Sequence, residues 1–329
     1  MVPRLFSVPG HATRAAAVLL ASALSAQAQE APALLFPVDC TLGETCFLQQ
    51  FVDHDPGPGA RAFDCGPQSY DGHTGTDIRT ADLETMAQGV TVIAAAGGVV
   101  RGLRDGVPDG GTTTMQPGQG CGNGVALTHA EGWETQYCHL MEGSILVQEG
   151  QTVAAGTPLG LIGYSGQTEF PHLEFILRHE GQVIDPFDAE PGDSCDAPPA
   201  GLWAERVENP GGGILSAGFA PAIPELADIA AGRADTGAVE ARGAALVIWG
   251  FVHGGRAGDV VTLRITDATG AEVHAQEVVL ERAQAQLFRA SGRRTPAEGW
   301  PPGLYRGEVV LSRAGAEIDR AETAVLVTP

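Results

Sequence analysis

Imidazoles and carboxylates gather at three points in the first half of the chain. Gly72-His73-Thr74-Gly75-Thr76-Asp77 comes first, then His139 in Gln136-Tyr137-Cys138-His139-Leu140, then Phe170-Pro171-His172-Leu173-Glu174-Phe175. Three histidines and two carboxylates in compact glycine-rich and apolar surroundings point to one metal site assembled from distant strands. Imidazole and carboxylate are the usual donors to a catalytic zinc, which keeps one position open for water. In a strand, side chains two apart share a face, so His172 and Glu174 project together while Leu173 and Phe175 pack behind.

Other polar residues read more simply. Ser165 lies among glycines, but the rest of a serine-hydrolase elbow is missing, so Gly163-Tyr164-Ser165-Gly166 is a turn feeding the strand at His172. His54, between Asp53 and Asp55, belongs to a solvated loop. Asp185 is a turn residue, and His129 sits at a hairpin end. Asn123 and Arg178 flank the groove without a defined role, and His253 and His274 lack obvious partners.

The elements that must position these groups are mostly strands. Val90 to Ala95 and Gly98 to Val100 read as two strands around a glycine turn, and Val125–Thr128 with Glu134–Tyr137 as a hairpin around Ala130-Glu131-Gly132. Val147 to Ile162 has the character of short strands broken by glycines. Many short strands at close spacing imply an antiparallel β-core. Breakers at Pro198-Pro199 and Asn209-Pro210-Gly211-Gly212-Gly213 mark a linker, with a short helix at Ile223 to Ala231. Beyond residue 240, runs such as Ala245–Phe251, Val260–Ile265, Val273–Leu280 and Leu304–Leu311 alternate with turns, the rhythm of a small β-sandwich. The chain is therefore expected to be mainly β: a leader over 1–28, an antiparallel β-core domain over 32–199, a linker with a short helix over 200–239, and a β-sandwich over 240–329.

Residues 1–28 have a positive start, an apolar run from Ala15 to Leu24 and a small-x-small site at Ala26-Gln27-Ala28, the pattern of a signal peptide. The apolar run is shorter than the ~20 residues that span a bilayer, so no membrane anchor is expected after cleavage. Six cysteines fit an oxidising compartment; Cys40 with Cys46 and Cys121 with Cys138 are plausible local disulfides among 15 possible pairings. The formal charge of -21 disfavours nucleic acid and anionic lipid as partners. The 19 basic residues are all arginine, which excludes Schiff-base chemistry and biotinyl or lipoyl attachment.

The four segments around His73, His139, Gly160–Gly166 and His172 together resemble the lysostaphin/LytM-type zinc metallopeptidases, which cleave peptide cross-links of bacterial peptidoglycan. The resemblance covers about residues 70 to 190. It implies one Zn²⁺ held by His73, Asp77 and the residue at the third-ligand position, which here is Glu174 where the family has histidine. It implies His139 and His172 as the catalytic pair, one accepting the proton of the attacking water and the other stabilising the oxyanion. The substrate implied is the peptide stem of peptidoglycan and the location periplasmic, with secretion as the other option. The C-terminal sandwich would serve wall binding, partner docking or occlusion of the groove. Glutamate at the third position weakens the positive charge of the site, so the alternative is an inactive wall-binding or regulatory relative. A phosphocarrier with paired histidines is the remaining class, disfavoured by the leader.

Overall fold

Short β-branched and aromatic runs, each closed by glycine or an Asx residue, produce strands in nearly every part of this protein. The computed structural model describes residues 1–2, 31–190 and 201–329. The leader expected over 1–28 falls almost wholly outside the described residues, as does Cys195. No helix among the described residues is long and apolar enough to cross a membrane.

The N-terminal half of the Pro32–Pro329 unit contains β1 (Phe47–Gln50), β2 (Thr76–Arg79), β3 (Thr91–Ile93), β4 (Gly98–Arg104), β5 (Asn123–Thr128), β6 (Trp133–Leu140), β7 (Thr152–Val153), β8 (Pro158–Leu161), β9 (His172–His179) and β10 (Gln182–Ile184), with one short helix, α1 (Leu83–Gln88). Seven of these strands form an antiparallel sheet in the order β1-β2-β9-β6-β5-β4-β7, and β10 adds to β9. The β5–β6 hairpin has the expected register, with Val125 opposite Tyr137 and Thr128 opposite Glu134. Its turn closes with Glu131 and Gly132 at positive φ. β3 and β4 do not pair with each other. β3 pairs with β8 as a separate ribbon, while β4 lies between β5 and β7. The Ala95-Ala96-Gly97 corner therefore switches the chain between sheets rather than closing a hairpin. Tyr137, Leu127, Leu173, Phe175 and Leu177 are fully buried beneath the sheet.

The second half contains β11 (Gly213–Ala220), α2 (Leu226–Ala230), β12 (Ala238–Glu240), β13 (Ala245–Gly255), β14 (Val260–Thr266), β15 (Glu272–Val279), β16 (Gln284–Arg294), β17 (Gly303–Arg313) and β18 (Ala316–Thr328). A three-stranded sheet, β11-β13-β16, faces a five-stranded one, β12-β18-β17-β14-β15. Ile248, Val252, Leu263, Tyr305, Val309 and Val325 fill the space between them. The stretch read as linker holds β11, which pairs with β13 along most of its length. Its onset at Gly211-Gly212-Gly213 looks like a breaker because the backbone there passes against His253 and Gly254.

The two halves pack directly on each other. Phe47 of β1 joins Leu215, Trp249 and Phe251 in one buried cluster. Gln49 Nε2 donates to the Ala285 carbonyl at 2.6 Å. Arg79, 1% exposed, donates to Gln49 and Gln286 and lies between the rings of Phe170 and Phe251. The wall of the cleft described next is thus built from both halves.

Candidate metal centre

Three neighbouring strands and the loop before β2 bring the five expected residues together. β2 and β9 place Asp77 opposite Glu174 and Arg79 opposite His172; β6 on the other side of β9 places Cys138 opposite Glu174, with His139 next along. His172 and Glu174 share the cleft face of β9, while Leu173 and Phe175 are fully buried behind it. His73 enters from the loop before β2. The donor atoms approach closely: His73 Nε2 to Asp77 Oδ1 is 3.2 Å and to Glu174 Oε1 3.8 Å. Across the same space, His139 Nε2 is 3.4 Å from Glu174 Oε2, and His172 Nε2 is 3.4 Å from Asp77 Oδ1.

Each imidazole is oriented from behind. His73 Nδ1 lies 2.8 Å from the Phe51 carbonyl and His139 Nδ1 2.7 Å from that of Ser165. His172 Nδ1 has the Phe170 carbonyl and the Thr168 hydroxyl, both at 3.0 Å. A carbonyl can only accept, so these contacts place a proton on Nδ1 and turn Nε2 toward the cleft, the usual way a protein orients a ligand or base imidazole. His139 has φ 64°, a left-handed conformation rare outside glycine and found at sites where surrounding structure enforces it. Here its backbone N–H donates to the Cys121 carbonyl, beside the Cys121–Cys138 disulfide, and Asn123 Nδ2 holds the next carbonyl, Leu140. The Cys40–Cys46 disulfide is also formed.

Charge follows from this arrangement. Burial disfavours a charged His73, but the carboxylates of Asp77 and Glu174 and the bond to Phe51 outweigh it and push the imidazole up to about 9 in the metal-free protein. Burial likewise opposes the charge on Asp77, yet His172 and His73 hold its carboxyl well below the usual range. His73 Nε2 and Asp77 Oδ1 are buried and have no hydrogen-bond partner. Buried polar atoms are seldom left so.

Among the described residues, no three such side chains are gathered tightly enough to enclose an ion as they stand. A tetrahedral zinc with bonds of 2.0–2.1 Å separates its donors by about 3.4 Å. The His73–Asp77 edge already matches, and the His73–Glu174 edge is wider. Glu174 is the most exposed of the three, at 16% of its side chain. Gly75 makes room for it: a Cβ there would lie 2.7 Å from Glu174 Cγ. The two orphaned atoms and the adjacent carboxylate suit a divalent ion.

Several residues differ from their simplest reading. Ser165 is fully buried; its hydroxyl donates to the Leu140 carbonyl and accepts from Asn123 N, which leaves it no nucleophilic role. Asn123 is also fully buried and holds Val107 and Leu140. His54 is not solvated but pairs with buried Asp185 at 2.7 Å. His253 is buried at the junction of the halves. Spacing did not flag Tyr70, whose ring lies 4.4 Å from that of His73 at the cleft edge. Burial and the charges of Asp77 and Glu174 raise its pKa, so its hydroxyl stays protonated. Nor did it flag the segment Arg282–Gln286, which lines the cleft from the second half.

Known proteins resemble this region. The model of peptidase family M23 matches residues 71–186. Residues 71–186 are thus similar to M23 peptidase domains. The M23 region is similar to the DD-carboxypeptidase/endopeptidase Mpg of Neisseria meningitidis serogroup B, 36% identical over 114 residues, which is 35% of this chain and 22% of that protein. It is similar to the cell division protein DipM of Caulobacter vibrioides, 32% identical over 115 residues, 35% of this chain and 17% of that protein. The chain thus spans about a fifth of the length of the curated relatives it matches. Among solved structures, a zinc containing peptidase from Vibrio cholerae is a distant likeness: 24% identity over 46% of this chain and 39% of that one, with a TM-score of 0.31.

Proposed function

We propose that this M23 domain is an exported zinc metalloendopeptidase that hydrolyses peptide cross-links of bacterial peptidoglycan, acting in the periplasm. The observation that carries this reading is the convergence of buried His73 Nε2 and Asp77 Oδ1, 3.2 Å apart and with no aligned hydrogen bond, with Glu174 beside them and the Nε2 atoms of His139 and His172 facing them. The names of the curated relatives supply the substrate class.

His73, Asp77 and Glu174 would hold one Zn²⁺, which supplies Lewis-acid polarisation of a carbonyl and an acidified water. His139 and His172 stand on the opposite side of the donor set with Nε2 free. One accepts a proton from the attacking water and passes it to the leaving amine. The other stabilises charge that develops on the carbonyl oxygen. Ser165 and Phe170 hold the two rings through their backbone carbonyls, so neither ring has to reorganise during proton transfer. Tyr70 adds a hydroxyl donor at the edge of the same space.

The test is metal analysis and sacculus digestion with the full chain. The expected result is about one zinc per chain and solubilised peptide fragments, with His139→Ala keeping zinc and losing digestion, and His73→Ala losing both. Digestion that survives His73→Ala overturns the site. A second reading, an inactive wall-binding relative, is favoured by the wider His73–Glu174 distance; it predicts no zinc in the wild type but zinc in Glu174→His, and sacculus retention indifferent to chelator.

A further inference from the structure

The cleft over His139, His172 and Glu174 encloses about 770 Å³, and the two halves of the chain each contribute a wall. Gln50, Tyr70 and Thr168 belong to the M23 side, and Arg282–Gln286 to the other. The second wall begins in the connection between β15 and β16, where the chain passes from the five-stranded sheet to the three-stranded one. The sandwich therefore sets its position. Both ends are tied down. Leu280, 1% exposed, donates to the Asp259 carbonyl and accepts from Gly258, each at 2.8 Å. Beyond the turn, the Ala285 carbonyl accepts from Gln49, and Gln286 accepts from Arg79.

The charges around this cleft are uneven. Asp77, Glu169 and Glu174 line it, and Arg282 is the one arginine among its lining residues. Arg282 makes no hydrogen bond or ion pair to the described residues, although acidic side chains greatly outnumber basic ones in the chain. A guanidinium carries five donors in a planar fork that matches a carboxylate. The loop that carries Arg282 is anchored at both ends, so its backbone is already placed before a ligand arrives.

We propose that Arg282 binds a free carboxylate of the peptide substrate, so that the sandwich domain selects peptide stems bearing an unamidated carboxyl group near the bond to be cut. The assignment rests on the substrate class proposed above and adds the residue that reads its charge. Arg282 is a specificity residue: it touches substrate away from the reacting atoms, and its loss falls on binding. Glu169 and Glu174 line the same cleft, and their charge repels a carboxylate that is not met by the guanidinium.

Binding is measured by calorimetry with the full chain carrying His139→Ala to prevent turnover. The probes are a peptidoglycan stem tetrapeptide with free carboxylates and the same peptide with every carboxylate converted to carboxamide. Arg282→Gln is expected to weaken binding of the free-acid peptide about fivefold to tenfold and leave the carboxamide unchanged. Arg282→Lys should recover part of the preference, and the discrimination should shrink as salt is raised. A free-acid preference that survives Arg282→Gln, or an equal loss for both peptides, overturns the role of Arg282 and leaves the proposed substrate class standing. Failure of both peptides to bind the chain that retains Arg282 overturns the substrate class and this assignment together.

Discussion

Under the proposed function, Glu174 would set how strongly the site activates a bound water. In the proposed zinc site it would, with Asp77, bring two negative charges to the dication, where a single carboxylate would leave one positive charge uncompensated. Replacing Glu174 by His is expected to keep zinc at about one per chain and raise kcat/KM for sacculus digestion about tenfold, because a net positive site acidifies water and polarises a carbonyl more strongly. Gly75 leaves space for either side chain. Stopped assays with matched metal content check this; an unchanged or lower rate removes the charge argument. His73 gives a second expectation. In chelator-stripped protein its pKa is raised to about 9 by Asp77 and Glu174 against the penalty of burial. A raised histidine stabilises the fold fully below its unfolded value near 6.5, and that contribution is lost as pH climbs through about 9. Thermal denaturation of the metal-free protein should show stability falling from pH 7 to 10, and the fall should vanish in His73→Gln. Zinc-loaded protein should lack it too, since the metal replaces the proton.

The hairpin β5–β6 and the β9 strand were legible because each signals itself locally. Glu131 and Gly132 close a turn between β-branched runs, and the alternation of His172, Leu173, Glu174 and Phe175 separates cleft from core without tertiary knowledge. β11 was hidden because its glycines serve close backbone approach, which in sequence looks the same as a linker. The pairing of β3 with β8, and not β4, depends on long-range contacts that no local pattern carries. Tyr70 and Arg282 became visible only through the fold, since neither belongs to a spaced motif. Ser165 shows the same gap in reverse: glycines around a serine invite a nucleophile, while its hydroxyl ties β5 to the turn after β8 by bonds to Asn123 N and the Leu140 carbonyl. Ser165→Ala should therefore cost about 1–3 kcal/mol of stability by leaving the buried N–H of Asn123 unsatisfied. Digestion well below the melting temperature should persist, because His139 is held by the Ser165 backbone carbonyl, which alanine retains. Abolished digestion in folded Ser165→Ala would reopen the nucleophile reading.

At the scale of the whole molecule, the junction between the halves is a buried polar seam edged by aromatic rings. Arg79 is buried there, hydrogen-bonded to carbonyls and to the amide oxygens of Gln49 and Gln286, with the charges of Asp82 and Asp77 nearby. His253 lies on the same seam, 3% exposed and edge-on to Phe47, with Nδ1 unpartnered. Burial, reinforced by the positive charge of Arg79, pushes its pKa down to about 3. The imidazole is thus neutral in the folded chain at pH values where the unfolded chain binds a proton. Stability must fall as pH drops through about 6.5 and continue falling to about 3, below which both states are protonated and this contribution stops changing. Because the seam also positions Arg282–Gln286 against the cleft, acid should loosen the second wall before it touches the disulfide-bound strands around His139. Urea titrations at pH 7, 5.5 and 4 check this: the wild-type midpoint should decline across the series, and His253→Gln, which carries no titrating proton, should decline less over the same interval even if it starts lower. Parallel declines in the two proteins would place the acid sensitivity elsewhere, with the buried His54–Asp185 pair as the next group to test.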